Sequence, residues 1–213
     1  MELALYGVDG FYTKVDGGSA GRRGDFITSP EVGPLFGAVV ARYLDAEWKR
    51  IGRPDVFTVV DAGAGPGTLA RSVLAARPEC GDALRYVAVE ISPGQRERHP
   101  DAVESMATMP TEPLDGVVIA NELLDNLPFR LAVVDQGWRE AFVDVGTDGR
   151  FVEVLSAPID PAPTFLPATA QFGARAPLVD RAAAFVAEAR RLVRSGSVVA
   201  IDYGTPITAM LAG

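Results

Sequence analysis

This chain of 213 residues has one cysteine, Cys80, and one histidine, His99. One residue of each type excludes a disulfide within the chain, a zinc cluster, and any Ser–His or Cys–His catalytic pair that does not use His99. We predict no metal site. His99 lies in a polar stretch that ends at Pro100, so we expect an exposed residue at a helix end rather than a catalytic base.

Basic residues are also scarce, and long apolar runs are missing. The 20 Lys and Arg residues against 28 Asp and Glu residues give a net charge of −8 and an isoelectric point near 4.7. Nucleic acid normally binds a basic face, so we expect no nucleic-acid partner and favour a cationic substrate. No apolar stretch is long enough to span a membrane, and the first residues lack the basic start and apolar core of a signal peptide. We therefore expect a cytoplasmic protein without a membrane partner.

Apolar residues are abundant, at 48% of the chain, which is enough for a substantial core. No shift in composition divides the chain, so we expect one domain over residues 1–213.

Six glycines between Tyr6 and Gly24 predict an irregular, flexible segment over residues 1–24 that can act as a lid. Ser29 and Pro30 favour the start of a helix. We expect the apolar stripe of this helix to face the core rather than a ligand. The stripe consists of Phe36, Val39, Val40, Tyr43, Leu44 and Trp48.

A glycine cluster follows an apolar, β-branched run. Phe57–Val60 has the composition of a buried parallel strand, and helical spacing from Leu69 to Leu74 follows the turn Gly63-Ala64-Gly65-Pro66-Gly67. Strand, glycine turn and helix form the first half of a βαβ unit, in which main-chain N–H groups are open to a ligand. A dinucleotide fingerprint would need a third glycine where Thr68 stands. The run instead resembles the first motif of the S-adenosylmethionine (SAM) dependent methyltransferases, although such a turn can also be only a tight connection.

Two carboxylates accompany this turn. The resemblance implies that Asp61, two places before the first glycine, helps to hold the amino end of the methionine moiety. Glu90 closes the second predicted strand, where a carboxylate of a doubly wound sheet can accept hydrogen bonds from both ribose hydroxyls. We take Glu90 as the ribose ligand, the alternative being a solvated charge at a strand end. A third short strand, Val103–Met106, is expected beside the adenine, which makes Ser105 and Met106 further candidates.

Motifs spread along the chain make the resemblance specific. The sequence is similar to the MidA family of SAM-dependent methyltransferases in GDFITSPE at 24–31, VVDAGAGPGTLA at 59–70, YVAVEIS at 86–92, VVIANELLDNLP at 117–128 and VVAIDYG at 198–204. Members of that family include a protein that methylates an arginine. The resemblance implies SAM as cofactor and a set of cofactor-binding residues: Gly24, Asp25, Thr28, Ser29, Asp61, Gly63, Ala64, Gly65, Gly67, Glu90, Ile91, Met106, Asn121 and Glu122.

A fourth predicted strand, Leu114–Ala120, delivers Asn121 and Glu122 to the edge of the sheet where ligands of open α/β folds bind. A guanidinium is a poor nucleophile held at a pKa above about 12, so its methylation requires carboxylates that neutralise and orient it. If the segment turns helically, Glu122 and Asp125 share a face and can grip a guanidinium, and we predict both as catalytic residues. Equally, Asn121 and Glu122 can contact only the cofactor while Asp125 or Asn126 caps a local turn.

The last third of the chain changes pattern. Alternating apolar residues and an Asp-Gly turn predict an antiparallel β meander over residues 129–155, and prolines predict an extended loop over 157–177. A helix, Leu178–Arg194, and a fifth parallel strand, Val198–Asp202, follow. The predicted fold is α/β, a doubly wound Rossmann-like SAM methyltransferase sheet with an added antiparallel β meander and a shortened C-terminus. We expect the edge of the fifth strand to be covered by the meander or by a second copy in a homodimer.

Three functions fit these observations. The first is a methyltransferase of the MidA type whose partner is a protein substrate, modified on an arginine side chain. The second is a small-molecule methyltransferase on the same fold. The third is a non-catalytic protein that binds SAM or its demethylated product and acts as an assembly partner. The acidic loop around Glu122 favours a cationic acceptor without identifying it.

Overall fold

The computed structural model describes residues 1–13, 30 and 33–204, which pack as two compact units. One unit comprises Glu2–Leu127 with Ala184–Asp202, and the other is built around Pro128–Ala183. Within the described ranges, every helix is too short or too polar to span a lipid bilayer. The expectation of one domain over the whole chain stays a prediction.

Helices and strands alternate from residue 34 to residue 106, and a run of strands follows before the last helix. The helices described are α1 (Glu2–Tyr6), α2 (Pro34–Arg50), α3 (Thr68–Ala75), α4 (Pro93–Arg96) and α5 (Asp180–Leu192), with short 3-10 helices at Glu79–Ala83 and Leu124–Asn126. The strands described are β1 (Phe57–Ala62), β2 (Leu84–Val89), β3 (Glu104–Met106), β4 (Leu114–Asn121), β5 (Arg130–Val134), β6 (Trp138–Val145), β7 (Phe151–Pro158), β8 (Arg175–Leu178) and β9 (Val193–Ile201).

The first unit is organised around a parallel sheet of five strands in the order β3-β2-β1-β4-β9. Every residue of the central strand β1 is buried, and its side chains alternate between two cores. Phe57 and Val59 pack on one face with Leu44 of α2 and with α3, whereas Val60 packs on the other face with Leu192 of α5. Helices on both faces of a parallel sheet confirm the predicted doubly wound α/β fold.

The buried face of α2 differs from the predicted stripe. Val40 and Leu44 are buried as expected, and Phe36 and Trp48 pack against them. Val39 and Tyr43, by contrast, are 57% and 38% exposed. The face in contact with the core is completed instead by Gly37 and Ala41, because residues three and four apart share one side of a helix.

The N-terminal segment forms a short helix and turns where the structure describes it, and its flexibility stays a prediction. α1 is followed by turns through Thr13, and the hydroxyls of Tyr6 and Tyr12 donate hydrogen bonds to Asn126. Residues 14–24, with the remaining glycines of the predicted lid, lie outside the described residues.

The second unit holds the predicted meander in a separate antiparallel sheet of order β7-β6-β5-β8. Its core contains Trp138, Leu166 and Leu178. Strand β8 lies where we predicted only an extended loop, and it pairs with β5. Pro177 argued against a strand, but β8 is at the edge of the sheet, where proline is tolerated because one side of the strand needs no ladder bond.

β9 begins at Val193, five residues before the predicted start, and follows α5 without a loop. Ser195 and Gly196, which we placed between the predicted helix and the predicted strand, lie inside the strand. Gly196 is in register with Gly116 of β4, and a Cβ at either glycine would overlap a main-chain carbonyl of the adjacent strand. Among the described residues β9 pairs only with β4, so the meander does not extend this sheet, and a homodimer contact at the edge stays a prediction.

Gly37→Ala is expected to destabilise the protein by about 1–3 kcal/mol, because α2 and α3 touch at this residue. An added Cβ would overlap the Cβ of Ser72 and lie 2.8 Å from its carbonyl carbon. Urea unfolding followed by circular dichroism measures the difference. Gly94→Ala is the control, since a Cβ there meets nothing within 4 Å, and its unfolding free energy should stay within about 0.5 kcal/mol of wild type. Equal stability of the two variants would contradict close packing at Gly37.

Candidate functional site

The carboxyl ends of β1 and β4 meet where the strand order of the parallel sheet reverses. Ala62 is in register with Val89 of β2 on one side and with Ala120 of β4 on the other. The glycine turn and the segment from Asn121 onward therefore leave the sheet side by side. A Cβ built on Gly63 would lie 3.0 Å from Cδ1 of Leu123, so the two segments are in contact. Ligands of open α/β sheets bind at this kind of edge.

The glycine turn is fastened to the neighbouring strand by its own backbone. The N–H groups of Gly63 and Ala64 both donate to the carbonyl oxygen of Val89, at 2.9 and 3.0 Å. Gly63, Gly65 and Gly67 all have positive φ, between 53° and 78°, which explains why glycine occurs at each of these places. A Cβ at Gly65 would meet no atom within 4 Å, which leaves room for a ligand against its backbone.

Glu90 faces this turn. Its Oε2 accepts a hydrogen bond from the N–H of Gly65 at 3.0 Å, and its Oε1 accepts one from the N–H of Ser92 at 2.9 Å. Each carboxylate oxygen can accept two hydrogen bonds, so each retains capacity for a ligand hydroxyl. The N–H of Glu90 donates to the carbonyl of Met106 at 3.0 Å, which links the end of β2 to β3. Met106 is half-buried, and Ile91 is 56% exposed beside Glu90.

Asp61 lies at the end of β1 and is almost fully buried. The hydroxyl of Tyr86 donates to its Oδ2 at 3.0 Å. Burial raises the pKa of Asp61 to about 7, the negative charge of Glu90 adds to this rise, and the hydrogen bond from Tyr86 opposes it. Because this pKa is close to neutral pH, the Asp61 carboxyl can be either protonated or charged when a cation binds.

His99 is more than the exposed helix-end residue that we predicted. It is half-buried, its Nε2 lies 2.8 Å from the carbonyl oxygen of Gly65, and its Nδ1 lies 2.8 Å from Oγ of Ser105. It thus connects the glycine turn to β3. No local sequence signal predicts this contact, because the partner in the turn is 34 residues away.

The predicted catalytic segment does not form a continuous helix. Glu122 has a left-handed backbone, with φ 51°, and only Leu124–Asn126 forms a 3-10 turn. The premise that Glu122 and Asp125 share a helical face is therefore wrong. The side chain of Asn126 closes the turn instead, since its Nδ2 donates to the carbonyl of Glu122 and to Oδ1 of Asp125, both at 2.9 Å. This is the alternative in which Asn126 caps the loop.

Glu122 and Asp125 are nevertheless close enough to interact electrostatically. Burial raises the pKa of Asp125, and the charges of Asp202 and Glu122 raise it further. Asp202 was not predicted as a site residue, but its Oδ2 accepts a hydrogen bond from the N–H of Leu124 at 2.7 Å. Two sequence signals pointed to it, namely its place at the end of the last predicted parallel strand and its position in the motif VVAIDYG. Three carboxylates thus surround one short loop.

Asn121 carries a buried polar atom that the described residues leave unsatisfied. Its Oδ1 has no hydrogen-bond partner in the described part of the chain. A buried oxygen without a donor is costly, so a ligand that supplies an N–H or O–H group would stabilise it. Together with the open space at Gly65 and the spare capacity of Glu90, this atom fits a polar nucleoside ligand. Gly24, Asp25, Thr28 and Ser29, also predicted to bind the cofactor, lie outside the described residues.

A glycine turn and a strand-end carboxylate on a doubly wound parallel sheet define a class of proteins that bind nucleosides at the sheet edge. Over residues 39–211 the sequence matches the model of a family of S-adenosyl-L-methionine-dependent methyltransferases, and the chain belongs to that family. The resemblance to the MidA family, drawn from the motifs, is confirmed.

Named relatives agree with this assignment. The chain is 34% identical to the Drosophila melanogaster mitochondrial protein arginine methyltransferase NDUFAF7 homolog, over 60% of this chain and 36% of the fly protein. It is 26% identical to human protein arginine methyltransferase NDUFAF7, over 74% of this chain and 43% of the human protein. The fold matches a COG1565 superfamily structure from Burkholderia thailandensis bound to S-adenosyl-homocysteine, with TM-score 0.84, 31% identity and coverage of 99% of this chain and 58% of that one. The chain therefore spans less than two thirds of the length of each.

Asp61→Asn is expected to stabilise the protein more strongly as pH rises. In wild type the folded state keeps the Asp61 proton up to about pH 7, whereas the unfolded chain releases it near pH 3.8, so wild-type stability falls as pH rises through this range. The asparagine removes the buried charge and keeps an oxygen for Tyr86. Its advantage in unfolding free energy should grow by about 2–3 kcal/mol between about pH 5 and pH 8, as measured by urea unfolding.

Asp115→Asn provides the control for this titration. The Arg194 guanidinium lowers the pKa of Asp115 below its ordinary value, so this carboxylate is already charged at the lower pH. The effect of Asp115→Asn on stability should therefore be the same at both pH values. A pH-independent effect of Asp61→Asn as well would contradict the raised pKa.

Proposed function

We propose that this protein binds SAM at the edge formed by β1, β2 and β4 and transfers its methyl group to an arginine side chain of a protein. The observation that carries the proposal is the orientation of Glu90. Its carboxylate points at the glycine turn and keeps two acceptor positions, where the two hydroxyls of a ribose can donate. The solved relative bound to S-adenosyl-homocysteine supports the same cofactor class.

The residues around Glu90 suit the other parts of the cofactor. Gly65 allows close approach to the main chain, because a side chain there is absent and the space is open. Asp61 and the unsatisfied Oδ1 of Asn121 are acceptors for the amino group of the methionine moiety. When bound, SAM supplies an electrophilic methyl group on a sulfonium. The protein supplies its position and the electrostatic environment around it.

Residues 122–127, which we call the acceptor loop, suit the binding of a cationic side chain. Glu122 and Asp125 lie next to the glycine turn, and Asp202 adds a third carboxylate. These charges can neutralise a guanidinium and orient one of its nitrogens towards the methyl group. The pKa of Asp125 is raised by burial and by its acidic neighbours, which makes this carboxylate a better acceptor for the proton that the methylated nitrogen releases.

The relatives support arginine as the acceptor, since several carry the name protein arginine methyltransferase. The chain's own charge is consistent with this choice, because a net charge of −8 favours a cationic partner. The chain spans 36% of the fly relative and 43% of the human one, so arginine as the acceptor is proposed for this chain and is not taken over from those proteins.

Replacing Glu90 by glutamine is expected to weaken SAM binding at least about 10-fold. The amide keeps one acceptor oxygen but places an NH2 group where a second hydroxyl donor would bind, and it removes the negative charge. Isothermal calorimetry with SAM measures the dissociation constant. Glu104→Gln is the matched control, because Glu104 is a strand carboxylate that pairs with Arg85 at 2.6 Å on the surface. Unchanged affinity in Glu90→Gln would remove the ribose role from Glu90, and no binding to wild type would overturn the proposed function.

Replacing Glu122 by glutamine is expected to reduce methyl transfer at least about 100-fold while SAM affinity stays within about 3-fold. The carboxylate acts on the acceptor in this proposal, so its loss affects the transition state more than cofactor binding. Transfer of labelled methyl from SAM to the proteins of a cell extract measures the rate. Glu97→Gln, an exposed carboxylate at the end of α4, is the control and should keep full activity.

Two other outcomes would replace this function by an alternative. Label found in small molecules rather than in proteins would indicate a small-molecule methyltransferase. SAM binding without transfer to any fraction would indicate a non-catalytic cofactor-binding protein.

A further inference from the structure

Two tyrosines from the N-terminal segment converge on one residue of the acceptor loop. The hydroxyl of Tyr6 donates to the main-chain carbonyl of Asn126 at 2.9 Å, and the hydroxyl of Tyr12 donates to Oδ1 of the same residue at 2.6 Å. More than a hundred residues of sequence separate each donor from its acceptor. Neither tyrosine was predicted as a site residue.

The two rings form one preorganised unit. Tyr6 and Tyr12 stack with ring centroids 5.7 Å apart, and Phe11 lies edge-on to Tyr12 at 4.9 Å. The turn that carries them is tied back to α1, because the N–H groups of Phe11 and Tyr12 donate to the carbonyls of Ala4 and Leu5. The positions of both hydroxyls are therefore fixed by backbone hydrogen bonds and by ring packing.

Asn126 connects the two tyrosines to Glu122 and Asp125, the predicted catalytic residues. With Oδ1 occupied by the Tyr12 hydroxyl, the amide directs Nδ2 to the carbonyl of Glu122 and to Oδ1 of Asp125. The side chain of Asn126 thus accepts one hydrogen bond, from Tyr12, and donates hydrogen bonds to Glu122 and Asp125, while its main-chain carbonyl accepts the bond from Tyr6. Groups connected in this way are held more rigidly than by any single bond.

Burial, together with the nearby negative charge, keeps the hydroxyls of the two tyrosines protonated. Burial raises the pKa of Tyr12 to about 12, with further contributions from Tyr6, Asp125 and Glu90. Burial also raises the pKa of Tyr6, followed by the charges of Glu90 and Asp125. Both hydroxyls lie within the field of the ribose carboxylate and the acceptor carboxylate, and both remain hydrogen-bond donors at neutral pH.

We propose that Tyr6 and Tyr12 are positioning residues of the acceptor site, which act through Asn126 to hold Glu122 and Asp125 in the arrangement that receives a cationic side chain. The consequence for catalysis rests on the proposed function, whereas the ordering of the loop does not. Residues 6–12 then support the acceptor site.

The first test measures the order of the loop without any substrate. Hydrogen–deuterium exchange of the amides of residues 122–127 is compared in wild type and in the double variant Tyr6→Phe/Tyr12→Phe, which keeps both rings and removes both hydroxyls. Exchange in the double variant should be at least about 10-fold faster. Tyr43→Phe is the matched control, because its hydroxyl lies 2.6 Å from Oγ of Ser197, away from the loop, and it should leave residues 122–127 unchanged.

The second test separates positioning from simple attachment of the N-terminus. The double variant should transfer labelled methyl to extract proteins at least about 10-fold more slowly, while its dissociation constant for SAM stays within about 3-fold of wild type. Asn126→Ala should cause the same loss, and adding it to the double variant should cause no further loss, because the three residues act in one chain of hydrogen bonds.

Unchanged exchange of residues 122–127 in the double variant would overturn the proposal, and so would faster exchange with an undiminished transfer rate. If wild type transfers no methyl group, the proposed function has failed, and the exchange measurement alone decides whether the tyrosines order the loop.

Discussion

The hydrogen bond from the Gly65 N–H to the Glu90 carboxylate joins the two segments on which the candidate site depends. It holds the glycine turn of one βα unit against the end of the next strand. The turn is also tied to that strand by two bonds to the carbonyl of Val89, and Nε2 of His99 contacts the carbonyl oxygen of Gly65. A ligand that uses Glu90 therefore meets a turn whose conformation is already set, so little further ordering is needed on binding.

The site concentrates features that lower the stability of the fold. Asp61 is a buried acid with a raised pKa, Glu122 has a left-handed backbone without being glycine, and Asn121 has a buried oxygen without a donor among the described residues. The rest of the sheet is apolar and well packed, with β1 entirely buried. Such unfavourable features persist at binding sites because the surrounding structure enforces them and a ligand offsets their cost.

The acceptor loop is held by segments that are distant in sequence. Tyr12 of the N-terminal segment donates to Asn126, and Asp202, which follows the last parallel strand, accepts from the N–H of Leu124. The cofactor edge, by contrast, uses residues that directly follow β1, β2 and β4. The family motifs contain Asn126 and Asp202, but motifs record local sequence, so they do not show which distant residues contact one another in the acceptor loop.

Local patterns by themselves determined the doubly wound sheet, the glycine turn and the position of Glu90, because buried parallel strands are continuous apolar runs and a ligand at their ends requires glycine and acidic residues. Only the tertiary structure decided the contacts of His99, Tyr6 and Tyr12, the strand around Pro177 and the start of β9 at Val193. Each of these depends on a partner far along the chain, and the free energy of such a contact exceeds the local preferences that sequence patterns express.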